Sequence, residues 1–129
     1  VYITHPLRTW LRLEGLAALV TATLLYRQGG YSWWLYAALF LGPDLSFLGY
    51  LAGSRIGALA YNLAHAYIVP LGVIVAAALG ALPWTLATAG AQIWIAHIGF
   101  DRALGYGLKY PSGFSDTHLG RIGRPPSPG

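Results

Sequence analysis

The sequence predicts an all-α fold: an integral membrane bundle of four transmembrane helices with both termini in the cytoplasm. Three observations lead there. Of 129 residues, 56% are hydrophobic and only 9% charged, where a soluble domain carries about 25% charged residues. A single water-soluble core of this size cannot hide so much apolar surface. Apolar runs at 7–26, 31–51, 56–79 and 84–104 each approach the ~20 residues that cross a bilayer core. Four crossings also gather Arg8, Arg12, Arg55, Arg102, Lys109, Arg121 and Arg124 on one side and leave Arg27 on the other. By the positive-inside rule the crowded side is cytoplasmic. The transmembrane domain is 1–110, and 111–129 forms a cytoplasmic tail.

The first span starts with Arg8 and Arg12 and closes at Gly29-Gly30. Its basic start resembles a signal peptide, but Glu14 within the apolar run favours a retained anchor. The second opens on the interfacial aromatics Tyr31, Trp33, Trp34 and Tyr36, and Gly42-Pro43-Asp44 interrupts it. Proline removes a backbone donor, so a kink is expected beside the carboxylate. Ala52-Gly53-Ser54-Arg55 leads to the third span, which carries Asn62, His65 and Pro70. There Gly72, Ala76 and Gly80 put a small residue at every fourth position, a spacing that lets helix backbones approach. The fourth span follows Pro83 and contains His97 and Asp101. Trp94 on it is expected to face lipid or to pack, and Arg102 to snorkel to headgroups. Residues 124–129, rich in proline, are expected to be disordered.

Ionisable groups in an apolar span are costly and mark a site or a partner. His97 and Asp101 stand four residues apart, on one helix face. At 1.5 Å per residue, Glu14 lies ~9 Å into its span, Asp44 ~10 Å, Asn62 ~9 Å, His65 ~13 Å and His97 ~10 Å. Every helix therefore delivers a polar group to one layer of the cytoplasmic leaflet, and a shared pocket is expected. Two histidines and two or three carboxylates on facing helices suit Zn, Fe or Mn. A metal so held could activate water for hydrolysis of a lipid-like substrate, with Glu14 or a spare Asp as general base. Asp116 and His118 of the tail could fold back as a lid or as extra ligands.

Three other readings stand beside this one. The same residues could form an ion-paired network that fixes helix register and binds nothing, which is the simplest account of each residue alone. The chain could be a non-catalytic accessory subunit docking on a larger membrane protein complex. Third, His65 and His97 could be axial ligands to a haem or a chlorin. The absence of cysteine excludes thiolate catalysis and Cys-ligated metal. The net charge of +4 reflects basic residues beside apolar spans, which suits anionic lipid headgroups and not nucleic acid.

The segments Pro43-Asp44-Leu45-Ser46-Phe47-Leu48-Gly49-Tyr50-Leu51-Ala52-Gly53, Tyr61-Asn62-Leu63-Ala64-His65 and Ala96-His97-Ile98-Gly99-Phe100-Asp101-Arg102 resemble the domain-of-unknown-function family DUF4260. So do Gly105-Tyr106-Gly107-Leu108-Lys109-Tyr110-Pro111 and Asp116-Thr117-His118-Leu119-Gly120. These are small bacterial membrane proteins, so the resemblance implies a bacterial inner-membrane location and assigns no activity. More loosely, a Pro-Asp in one helix, a His in the next and a His followed by an Asp is similar to membrane-bound metal-dependent hydrolases. That likeness implies Asp44, His65, His97 and Asp101 as metal ligands. It departs at Leu45-Ser46, where that pattern offers a second acidic residue, and so supplies no second-metal ligand there.

Overall fold

The structure is a computed structural model and describes residues 5–108 together with two short strands, β1 (Asp116–Thr117) and β2 (Gly120–Arg121). Helix α1 (His5–Gln28) is a Leu/Ala-rich run. It stops at Gly30, which takes a left-handed φ of 72° that only glycine adopts cheaply. The Ser32 hydroxyl then caps α2 (Trp33–Leu39) by accepting from the Trp34 N–H. A 3-10 helix, Gly42–Ala52, continues the chain with Pro43 in its first turn. The proline thus ends one helix and starts another, a sharper outcome than a kink.

Helix α3 (Ser54–His65) and helix α4 (Ile68–Ala78) form the third apolar stretch, bent by 51° between them. Pro70 explains the break. Its ring would clash with the carbonyl four residues back if the helix ran on, and that residue, Ala66, is extended at φ −102°, ψ 136°. Helix α5 (Trp84–Leu104) ends at Gly105, with φ 95°.

Two helix pairings dominate, α1 with α5 and the 3-10 helix with α3, and α4 also packs on α5. The α1–α5 crossing is made by Gly15 and Gly99. A Cβ at Gly99 would sit 2.5 Å from the Gly15 carbonyl oxygen and 2.7 Å from the Leu19 nitrogen. The expected stripe of Gly72, Ala76 and Gly80 does not do this work: a Cβ at Gly72 or Gly80 meets nothing within 4 Å. Close approach comes instead from glycines on the first and last helices. At the far end of this pair, Tyr26 packs with Ala89, Ile93, Tyr31 and Tyr36.

The fold is helical as expected. The departure is a two-residue antiparallel ladder, Asp116 opposite Arg121. Among the described residues, Trp33–Ala52 is by itself long and apolar enough to cross a membrane, and the bent α3–α4 pair passes as a second span. Helices α1 and α5 are 24 and 21 residues long but fall short of that apolarity. Residues 124–129 lie outside the described part of the chain.

Candidate metal centre

Among the six largest fully buried side chains, two are histidines, His65 and His97. Imidazoles at that depth need partners. His65 is the last residue of α3, His97 lies on α5, Asp44 is in the first turn of the 3-10 helix, and Asp101 is one turn after His97. Their side chains converge from three segments. His65 Nε2 lies 3.1 Å from Asp44 Oδ1 and 3.3 Å from Asp101 Oδ2. His97 Nε2 lies 3.2 and 3.4 Å from the same two oxygens, and the two Nε2 atoms are 3.1 Å apart.

The His65 tautomer follows from its other nitrogen. Nδ1 is 2.9 Å from the Tyr61 carbonyl, and a carbonyl only accepts, so Nδ1 carries the proton. Neutral His65 therefore turns its Nε2 lone pair toward the other three groups, as a metal-ligating histidine does. The Tyr61 ring holds that orientation by stacking on His65 at 3.8 Å between centroids. His97 Nε2 faces the same point, and the Phe40 ring meets His97 edge-on at 5.4 Å. His97 Nδ1 is buried without a well-formed hydrogen bond, although the Phe40 carbonyl acts on that ring.

The His65 lone pair and two carboxylate oxygens at such distances repel unless a cation, or a proton on His97 Nε2, lies among them. A tetrahedral ion with bonds of about 2.0–2.1 Å has ligand–ligand edges of about 3.3–3.4 Å. Five of the six separations here run from 3.1 to 3.4 Å, and the four atoms all lie within 4.8 Å of one another. The donor set fits one small divalent ion. It does not fit the porphyrin reading, in which axial nitrogens stand about 4 Å apart across an iron, two bonds of about 2.0 Å.

Helix α5 also supplies the frame. The break after His65 frees the last carbonyls of α3, which need donors. Trp94 Nε1 donates to the Ala64 carbonyl and Arg102 Nη2 to the His65 carbonyl at 2.7 Å. Arg102 is only 6% exposed and its Nη1 donates to the Tyr106 carbonyl. The expected snorkelling is thus replaced by capping of the neighbouring helix, since a guanidinium fork reaches two carbonyls at once. Trp94, left open between lipid and packing, packs.

Of Glu14, Asp44, Asn62, His65 and His97, placed in one layer, three meet, and Asp101 joins them. Glu14 does not join them: it is exposed on α1 and stands outside the ligand cluster. Depth along a helix axis does not fix direction around it, which is why the arithmetic included Glu14. Asn62, a turn before His65, is part-buried with interactions of its own. His118 and the side chain of Asp116 lie outside the described residues. Sequence reasoning missed Tyr61, although its position four residues before His65 was a readable signal.

A helical chain that closes two histidines and two aspartates to metal-ligand spacing defines the class: a small helical protein with a candidate metal centre. The chain belongs to the family described as domain of unknown function DUF4260, whose profile matches residues 8–122. That stretch contains all four cluster residues. No curated protein and no solved structure matches the chain.

Proposed function

We propose that this protein crosses the membrane four times and holds one divalent metal ion between Asp44, His65, His97 and Asp101, for hydrolysis of an amphiphilic substrate. The observation that carries the proposal is the convergence of four ligand atoms at 3.1–3.4 Å edges with the His65 tautomer fixed by Tyr61. The four-span arrangement draws support from exposed apolar side chains on every helix, such as Leu13, Val20, Leu48, Leu59, Val75 and Leu86. From Trp84 to Phe100, α5 carries no Asp, Glu, Lys or Arg, about 25 Å of helix.

Bound there, a divalent ion supplies Lewis acidity and makes water nucleophilic near neutral pH. The side chains divide the remaining work by exposure. His65 and His97 are 0% and 1% exposed, Asp101 14% and Asp44 35%. Three well-buried donors are the number a catalytic zinc site uses. Asp44, the most open of the four ligands, is the one an incoming water would displace, and its freed carboxylate would then accept that water's proton.

Elemental analysis of the purified protein tests this. The expected result is one divalent metal per chain, lost in His65→Ala and in His97→Ala and kept in Glu14→Gln. A metal-free wild-type protein, with the helical fold intact, overturns the proposal and leaves an ion-paired network or an accessory subunit in its place.

A further inference from the structure

A cavity of about 310 Å³ has Pro43, Ser46, Ala64, Gly90, Ile93 and Trp94 among its walls; none of the four cluster residues lines it, but the same three segments build both. Its position is tied to the cluster by sequence. Pro43 precedes Asp44, Ala64 precedes His65, and Ile93 stands one turn before His97. The three segments that supply ligands therefore also supply the walls.

The chemistry of those walls is one-sided. None of these side chains is charged. The Ser46 hydroxyl donates to the Pro43 carbonyl at 2.7 Å, and Trp94 Nε1 donates to the Ala64 carbonyl. Both side-chain donors of the lining are satisfied within the protein, so an occupant finds no donor to bind and is itself apolar. Gly42 and Gly90 widen the space, since a Cβ at either meets nothing within 4 Å. The volume stands at the low end of ligand sites, about 300–1,000 Å³, which suits one hydrocarbon chain and not two.

We infer that this cavity is the subsite for the single aliphatic chain of a substrate whose polar head faces Asp44, His65, His97 and Asp101. The inference rests on the metal-centre reading above and narrows its substrate to single-chain amphiphiles. The wall residues Pro43 and Ala64 each precede a cluster residue in the sequence, so an aliphatic chain in the cavity and a head at the cluster would be held by the same three segments.

Alkyl hydroxamates, which chelate metals through a small polar head, test it on the metal-loaded protein in detergent. Acetohydroxamate reads the head site alone; decanohydroxamate reads head and chain. Gly90→Leu fills the cavity from α5, and Ser46→Leu fills it from the 3-10 helix. Each buried methylene is worth about fourfold in affinity, so displacing two or more weakens decanohydroxamate over tenfold. Acetohydroxamate affinity and metal content stay unchanged in at least one of the two variants. If decanohydroxamate binds both variants as it binds wild type, or if both probes weaken equally, the subsite is overturned while the metal centre stands. A wild-type protein that takes up no metal overturns both.

Discussion

His65 joins three functions in one residue: it ends α3, turns Nε2 into the cluster and offers its carbonyl to Arg102. The last contact makes Arg102 a positioning residue for the site. Removing the guanidinium in Arg102→Ala leaves a buried carbonyl without its donor, which costs on the order of 1–3 kcal/mol. The expected outcome is that loss of stability in denaturing-detergent titrations, with metal affinity weakened about 10- to 100-fold, the usual range for supports behind ligands. Arg102→Lys keeps one charge–carbonyl contact and recovers part of both. Unchanged metal affinity in Arg102→Ala would remove the positioning role. The four converging residues were legible because ionisable groups in apolar helices are few. Arg102 was misread because sequence alone does not tell a basic residue near a helix end that reaches water from one that turns inward to cap its neighbour.

Element boundaries shift the depths that straight α-helices would give, moving Asp44 toward the depth of His65 and away from that of His97. At about 2.0 Å per residue, the 3-10 geometry between Asp44 and Leu51 spans about 14 Å, close to the ~13 Å of His65 from Ile56. The proline positions were readable as interruptions; that Pro43 launches a 3-10 helix and Pro70 splits the third stretch was not, because both depend on which neighbours satisfy the freed carbonyls. The α1–α5 contact escaped as well. Gly15 and Gly99 lie on helices distant in sequence, whereas the Gly72–Gly80 stripe was conspicuous and idle. Gly99→Val is therefore expected to separate α1 from α5, since the obstruction at 2.5 and 2.7 Å is backbone and cannot swing aside. A loss of about 1–3 kcal/mol or more is anticipated, whereas Gly72→Val is nearly neutral. Equal stability of the two variants in the same unfolding assay would contradict this crossing.

Over the whole molecule, large apolar side chains from Leu7 to Tyr106 remain on the surface, and the described polar contacts concentrate where helices meet. The absence of cysteine makes orientation directly measurable. Single cysteines at Ala52 and Ala81, both exposed, are expected to react with an impermeant maleimide from opposite faces of the membrane, Ala52→Cys from the cytoplasmic face. Labelling of both from one face would exclude the four-span arrangement. The helical class and the four convergent residues were visible from composition and spacing, while the pairing of helices needed three dimensions.

The ligand set is also spread along the chain in time. Asp44 and His65 are synthesised well before His97 and Asp101, which sit on α5 together with Trp94 and Arg102. Until that helix docks, the first two ligands have no counterparts and the break in the third stretch has no cap. On the proposed reading, metal capture is thus a late event in biogenesis. An ion that binds the finished form alone would draw assembly to completion by mass action, and a nascent chain stalled before α5 lacks two of the four ligands.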